Sequence, residues 1–178
     1  MKIATWNLFI KNPNQSQAIK FLLGQEIDFV CLQECRRETI AYLEDFVLKV
    51  SFCLSHYENN TPVYLAMASR ETPQFSQTVK FQTSINQTLL SRFLNLNYNG
   101  SSYLYRDHFI GKQSIRFFNL HLPYPISASQ HLLLLKEVFK FLGPDVNVVC
   151  GDFNSFGHFP WNIPLALINN STWHDLVG

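Results

Sequence analysis

The chain has 178 residues and a mass of 20.7 kDa, and its 47% hydrophobic and 15% aromatic residues can fill the core of one domain. Fourteen basic and thirteen acidic residues give a formal charge of +1, which excludes a polybasic protein that coats nucleic acid non-specifically. The composition also excludes a disordered chain, and no apolar run reaches the roughly 18 to 20 residues of a membrane-spanning helix.

The first predicted unit is a strand, a helix and a second strand. The strands cover residues 2–6 and 28–32. The helix between them ends near Leu23, because its apolar residues recur at a spacing near 3.6 and Gly24 follows as a stop. A connection of this length favours a parallel pair of strands with a right-handed crossover.

The middle of the chain predicts a helix over residues 39–47 and then a series of short strands. These strands cover residues 52–54, 63–68, 79–82, 89–96 and 103–105. The series is typical of antiparallel hairpins, which need only short connections.

A second strand-helix-strand unit follows the hairpins. Strands over 115–120 and 146–150 flank a helix over 128–142. The helix begins with a capping box formed by Ser127 and Gln130, and it ends at Gly143-Pro144. No linker or repeat divides the chain, so we expect one mixed α/β domain over residues 1–178.

A polar group follows or ends each of the four strands of these two units. The groups are Asn7, Glu34 after Gln33, His121 after Asn119, and the segment Gly151-Asp152-Phe153-Asn154. Ligands of open α/β sheets bind at the carboxyl ends of parallel strands, so we expect these groups to share one cleft. Two carboxylates with amides suit Mg²⁺, with Mn²⁺ as an alternative, and favour hydrolysis of a phosphate ester.

Four motifs in this order and rough spacing carry a resemblance to a known family. They are Thr5-Trp6-Asn7, Leu32-Gln33-Glu34, Asn119-Leu120-His121-Leu122 and Gly151-Asp152-Phe153-Asn154, and Ala68-Ser69-Arg70 resembles the family's strand-ending Ser-Arg. The chain resembles the endonuclease/exonuclease/phosphatase superfamily over residues 1–175. The resemblance implies a four-layered α/β/β/α sandwich of two mixed sheets flanked by helices, and a divalent-ion-dependent hydrolase of phosphodiesters or phosphomonoesters.

The resemblance also implies a role for each matching residue. Glu34 would bind Mg²⁺ with support from Asn7, and Asp152 would share the ion or hold the attacking water. Asn154 would orient that water, and His121 would contact the phosphate. Arg70, Arg92 and Arg106 are further candidates to meet phosphate, although single arginines at strand ends are usually solvated.

The chain departs from the family's pattern at its end. The family closes with further strands and a Ser-Asp-His segment, whereas this sequence stops at Gly178, soon after His174-Asp175 in the reverse order. We therefore expect a fold that is C-terminally truncated relative to the family and lacks its terminal catalytic imidazole. A shortened sequence, completion by another chain, and a family member with altered activity remain open. Unpaired sheet edges would favour a dimer or strand exchange.

Each candidate residue also has a purely structural interpretation. Glu34 could form a surface ion pair with a neighbouring arginine, the Gly151-Asp152 segment could be an Asx turn, and Asn7 could cap a turn. His121 could be a satisfied core histidine. Four further histidines are expected at core or surface positions without a functional role: His108, His131, His158 and His174. The aromatic cluster of Phe153, Phe156, Phe159 and Trp161 could stack bases, but core packing is favoured.

Three functions follow from these observations. The first is a Mg²⁺-dependent nuclease or related phosphodiesterase with a phosphoester substrate such as nucleic acid. The second is a catalytically impaired family member that acts as a binding module. The third is a lipid or sugar phosphatase, which the near-zero charge and abundant aromatics support. Without a targeting segment in the first residues, we expect a cytoplasmic location.

Overall fold

The computed structural model describes residues 1–46, 48–83, 96–98, 101–124, 126 and 128–154. Its helices are α1 (Gln15–Gly24), α2 (Arg37–Asp45) and α3 (Ala128–Phe139). Its strands are β1 (Ile3–Asn7), β2 (Phe29–Cys35), β3 (Lys49–Glu58), β4 (Thr61–Ser69), β5 (Phe75–Lys80), β6 (Leu96–Asn97), β7 (Ser102–Ile110), β8 (Gln113–His121) and β9 (Val146–Asp152).

The strands form two mixed sheets. The first has the order β1-β2-β4-β3-β6 and the second has the order β5-β7-β8-β9. Strands β1 and β2 are parallel, as are β8 and β9, and every other described pairing is antiparallel. Both predicted strand-helix-strand units are therefore confirmed, and so are the antiparallel hairpins between them.

Three hydrophobic clusters hold the layers together. In the first, Ile19 of α1 and Ile40 of α2 pack against β2 and β4, so these helices cover the outer face of the first sheet. In the second, Leu134 of α3 packs against β7 and β8 on the outer face of the second sheet. The third lies between the sheets and includes Phe29 and Phe117, whose rings stack 4.3 Å apart. The result is the expected α/β/β/α sandwich.

Strand β2 is buried on both faces, because side chains alternate between the helices and the second sheet. Val30 and Leu32 contribute to the cluster under the helices, whereas Phe29 and Cys31 contribute to the cluster between the sheets. A strand buried on both faces has a continuous apolar sequence rather than an alternating one. This explains why the sequence Phe29–Leu32 is wholly apolar.

Several element boundaries differ from the prediction. Helix α1 ends at Gly24 as expected, but the residue with a left-handed backbone after it is Glu26, at φ 53°. Helix α3 ends at Phe139 instead of residue 142, because the next three amides donate to carbonyls three residues earlier and so form a tighter turn. Val47, Ser127 and most of the predicted strand over 89–96 lie outside the described residues.

None of the helices in the described ranges is long and apolar enough to cross a bilayer.

Candidate metal centre

Three side chains from the ends of three strands converge between the two sheets. Glu34 belongs to β2, His121 ends β8, and Asp152 ends β9. One ligand atom from each lies within 4.8 Å of the other two. The expected clustering of polar groups at the carboxyl ends of the parallel strands is therefore present.

Glu34 reaches this centre because β2 is irregular near its end. The pairing of β2 with β4 shifts register between Leu32 and Cys35, and Glu34 has a left-handed backbone with φ 55°. An extra residue at such a bulge changes the direction of a side chain relative to the regular alternation. The Oε2 atom of Glu34 then accepts a hydrogen bond from the backbone N–H of Ile10 at 2.8 Å. The carboxylate is thus held from the loop that follows β1.

Asn7 joins the two carboxylates through its amide nitrogen. Its Nδ2 donates to Glu34 Oε1 at 2.9 Å and to Asp152 Oδ2 at 2.6 Å. Its Oδ1 accepts from the backbone N–H of Phe9 at 2.9 Å, which fixes the direction of the amide. The atom of Asn7 that faces the centre is thus its amide nitrogen. Asn7 orients the two carboxylates and does not supply an oxygen ligand for a cation.

The segment after β9 orients Asp152 by a tight local turn. Asp152 Oδ1 accepts from the backbone N–H of Asn154 at 2.8 Å, and Asn154 has a left-handed backbone with φ 47°. The Nδ2 of Asn154 donates to the carbonyl of Leu122 at 2.7 Å, which holds this side chain beside the end of β8. The Asx turn that was the structural alternative for this segment is present, and it lies at the centre.

Gly151 allows β9 to approach β8 closely just before Asp152. Its φ is 143°, and a Cβ atom added there would lie 2.1 Å from the carbonyl oxygen of Leu120. Only glycine adopts this conformation readily and also leaves room for that carbonyl. The position of the Asp152 carboxylate therefore depends on the absence of a side chain one residue earlier.

His121 is buried and contacts residues that the sequence analysis missed. Its Nδ1 lies 3.0 Å from Ser55 Oγ, which is also 3.1 Å from Nδ1 of His56. Burial lowers the pKa of His121 to about 4 and that of His56 to about 3. Both rings are therefore neutral at pH 7. The only sequence signal for this pair was two adjacent polar residues inside a predicted stretch of short strands.

A buried amide pair ties the sheets together directly behind the centre. Gln33 Nε2 donates to Asn119 Oδ1 at 2.6 Å, and Asn119 Nδ2 donates to the carbonyls of Leu32 and Ala66. These two residues precede Glu34 by one position and His121 by two positions. Their bonds fix the relative position of β2 and β8, and hence the distance between the two functional side chains.

The structure places Arg70, a predicted contact of the substrate phosphate, away from the centre. Strand β4 runs antiparallel to β2, so its end lies beside the start of β2, where the backbone N–H of Arg70 donates to the carbonyl of Asp28. Glu34 follows Asp28 by six positions along β2, a distance of about 20 Å. Arg70 is exposed, but at the opposite end of the sheet from the centre.

Arg106, the second predicted contact of the phosphate, lies inside the sandwich. Arg106 is fully buried between the sheets, and its Nη1 donates to the carbonyls of Lys49 and Met67. These two carbonyls belong to the part of the first sheet that lies beside the start of β2, away from the centre. Arg92, His158, His174 and the aromatic residues Phe156, Phe159 and Trp161 lie outside the described residues.

A cleft of about 420 Å³ opens beside the centre. Its lining includes Asn7, Gln33, Asp152 and Asn154, with Trp6 and Phe153 as aromatic walls. Phe153 also packs against the cluster under α3, so the expected core packing and contact with the cleft both occur. The cleft therefore combines polar side chains, which can orient a bound molecule, with the apolar ring surfaces of Trp6 and Phe153.

The donors at the centre fit a divalent cation. The carboxylates of Glu34 and Asp152 lie close enough to repel each other, and the amide of Asn7 that bridges them carries no formal charge. Oxygen atoms of one or two carboxylates are the usual protein ligands of Mg²⁺. The sequence-predicted residues Asn7, Glu34 and Asp152 thus lie together in an arrangement that can hold such an ion.

Comparisons with known proteins agree with this arrangement. A model of the Endonuclease/Exonuclease/phosphatase family matches residues 4–175. No curated protein sequence matches the chain.

Three similar solved structures share the fold at low identity. An endonuclease/exonuclease/phosphatase family protein from Leptotrichia buccalis is 17% identical with a TM-score of 0.67, and the match covers 87% of this chain and 67% of that one. D. rerio TDP2 complexed with single strand DNA product is 17% identical with a TM-score of 0.64, over 93% and 63%. Sphingomyelinase C from Streptomyces griseocarneus is 13% identical with a TM-score of 0.67, over 94% and 68%.

Proposed function

Because the chain belongs to the endonuclease/exonuclease/phosphatase family, we propose that it is a divalent-cation-dependent hydrolase of phosphoester bonds, acting as a nuclease or related phosphodiesterase. The observation that carries this proposal is the convergence of Glu34, His121 and Asp152 from both sheets, with Asn7 bonded to both carboxylates. The site thus joins two acidic groups and a neutral imidazole at the edge of an open cleft.

Glu34 and Asp152 hold the cation in this proposal. Mg²⁺ fits best because the donors are carboxylate oxygens, and Mn²⁺ is the alternative. When bound, the ion supplies positive charge that polarises the phosphoryl group and makes a water molecule more acidic. Asn7 keeps the two carboxylates at a fixed separation through hydrogen bonds of 2.9 and 2.6 Å.

The remaining polar groups act on the water and the phosphate. Asp152 and Asn154 orient the attacking water, and their mutual hydrogen bond holds both at the cleft. His121 donates an N–H to a phosphoryl oxygen as negative charge grows in the transition state. Its pKa of about 4 keeps the ring neutral at pH 7, so it donates without carrying a charge of its own.

The structural neighbours suggest two classes of phosphodiester. TDP2 is described with a single strand DNA product, and sphingomyelinase C is named for a lipid substrate. Nucleic acid is the first candidate because the aromatic walls of the cleft, Trp6 and Phe153, suit base stacking. A lipid phosphodiester is the second candidate, because Phe9 and Phe21 are more than half exposed and could contact an apolar surface.

Hydrolysis assays of purified protein test the proposal. Single-stranded DNA and an activated phosphodiester should be cleaved with Mg²⁺ and not with EDTA. Glu34→Gln and Asp152→Asn should each lower kcat by at least about 100-fold, because each removes a charge from the cation site. Glu44→Gln, an exposed glutamate of α2, is the matched control and should retain full activity.

Unfolding measurements give a second readout that needs no substrate. A cation that binds only the folded chain stabilises it by about 2.7 kcal/mol when its concentration is 100 times Kd. Mg²⁺ should raise the Tm of the wild type and of Glu44→Gln, but not that of Glu34→Gln. Equal cleavage rates in EDTA and Mg²⁺, together with no effect of Mg²⁺ on Tm, would contradict the proposal.

A further inference from the structure

The hydroxyl of Ser55 lies between two buried imidazoles. Its Oγ is 3.0 Å from Nδ1 of His121 and 3.1 Å from Nδ1 of His56. The relative exposure of these three residues is 1%, 4% and 2% for Ser55, His121 and His56 respectively. Bulk water does not reach the Ser55 hydroxyl. Its hydrogen bonds are therefore made with the rings of His121 and His56.

One hydroxyl proton limits how the three groups can bond. A neutral imidazole has one N–H and one bare nitrogen, and a hydroxyl donates one hydrogen bond while accepting up to two. Both rings are enclosed by protein, and enclosure away from water favours the neutral form of an imidazole. Ser55 therefore donates to one ring and accepts from the other, or accepts from both.

The surroundings of Nε2 in His121 select one of these arrangements. This atom lies 3.8 Å from Glu34 Oε1, and the carboxylate of Asp152 belongs to the same cluster. A bare nitrogen there would face negatively charged oxygens, whereas an N–H there is attracted to them. With the proton on Nε2, Nδ1 of His121 must accept a hydrogen bond, and the hydroxyl of Ser55 supplies it.

Strand β3 is shaped to hold this arrangement in place. Its pairing with β4 shifts register between Leu54 and His56, so the adjacent residues Ser55 and His56 are both buried next to the centre. The His56 ring stacks on Tyr98, with centroids 4.9 Å apart and planes at 29°. With its ring fixed in this way, His56 directs Nδ1 at the serine oxygen.

We propose that Ser55 and His56 are positioning residues that fix the tautomer of His121, with Nδ1–H of His56 donating to Ser55 and Ser55 donating to Nδ1 of His121. His121 then presents Nε2–H to the carboxylates of the centre. The role in phosphate binding rests on the proposed function, but the tautomer itself does not. It follows that His121 donates to substrate and is not a ligand of the cation, because coordination would need a bare Nε2.

Nitrogen NMR of histidine-labelled protein tests the proposal directly. Protonated and bare ring nitrogens have widely separated resonances, so the spectrum shows which nitrogen of each ring carries the proton. The expected result for the wild type is a proton on Nε2 of His121 and on Nδ1 of His56. Both should stay unchanged at saturating Mg²⁺. A proton on Nδ1 of His121, with or without Mg²⁺, would overturn the proposal.

Two variants separate positioning from a purely structural role. Ser55→Ala removes the bridging hydroxyl, and His56→Phe keeps an aromatic ring against Tyr98 but removes the Nδ1 donor. Each should raise the share of the Nδ1–H tautomer of His121, because only the attraction of the carboxylates to Nε2–H then remains. Ser51→Ala, which alters an exposed hydrogen bond on the same strand, should leave the tautomer unchanged. A pure Nε2–H tautomer of His121 in folded Ser55→Ala and His56→Phe proteins would refute the proposal.

Kinetics connect the tautomer to the reaction. Ser55→Ala should lower kcat by about 10- to 100-fold and change KM little, because loss of a group that orients a functional histidine has effects of this size. Wild-type protein without phosphoesterase activity, but with the expected tautomers, would refute the proposed function alone. Normal kcat in Ser55→Ala with a changed tautomer would refute the link between Ser55 and catalysis.

Discussion

Replacing Gly151 with alanine should damage both the stability and the cation site. The backbone at Gly151 has φ 143°, which costs a residue with a Cβ about 1–3 kcal/mol of strain. The added Cβ would also lie 2.1 Å from the Leu120 carbonyl oxygen, and forcing an extra methyl group into a packed site costs about 1–3 kcal/mol more. We therefore expect a loss of about 2–6 kcal/mol in the free energy of unfolding. Asp152 should move with β9, so Mg²⁺ should no longer raise the Tm.

Urea unfolding of three glycine variants separates the two contributions. Gly111 has φ 64° and open space around its Cβ position, so Gly111→Ala should lose only about 1–2 kcal/mol from strain. Gly24 has neither a positive φ nor a close neighbour, and because it ends α1, Gly24→Ala should change stability by less than about 1 kcal/mol. Equal losses in Gly151→Ala and Gly111→Ala would refute the reasoning, since the clash at Leu120 would then cost nothing.

Two further predictions concern residues outside the centre. Arg70→Ala should leave kcat and KM within about twofold of the wild-type values, because Arg70 lies about 20 Å from Glu34 along β2. A large rise in KM would instead indicate that Arg70 contacts the phosphate. His108 should make the fold acid-sensitive, because burial and the charge of Arg106 lower its pKa from 6.5 to about 4. Between about pH 6.5 and pH 4, His108 binds a proton in the unfolded chain but stays neutral in the folded chain. The free energy of unfolding therefore falls by up to about 1.4 kcal/mol for each unit that the pH is lowered. His108→Phe should reduce this slope in urea titrations at several pH values, and an unchanged slope would contradict it.

The architecture could be predicted because its signals are local. The helical spacing of apolar residues around Ile19 and the wholly apolar run before Gln33 identify a strand-helix-strand unit from the sequence alone, and the structure confirms it. The assignment of residues 1–178 to one domain stays a prediction, as does the expected dimer. The roles of Asn7, Glu34, His121, Asp152 and Asn154 are also still to be tested, although the structure brings all five close to one another.

The rest could not be predicted because it depends on pairing between distant strands. The positions of the arginines show this: which end of the first sheet receives Arg70 depends on β4 running antiparallel to β2, and the burial of Arg106 depends on how the two sheets stack. Ser55 and His56 were missed because their importance comes from a register shift in β3. A single sequence contains no signal for either effect.

The bond between Asn7 and Asp152 joins residues that are 145 positions apart, and it unites strands of both sheets. During translation, Asn7 and Glu34 leave the ribosome long before Asp152 is made. A nascent chain at that stage carries one carboxylate of the pair and lacks the other wall of the cleft. The proposed cation site therefore assembles only after β9 has been made, because neither sheet alone supplies both carboxylates.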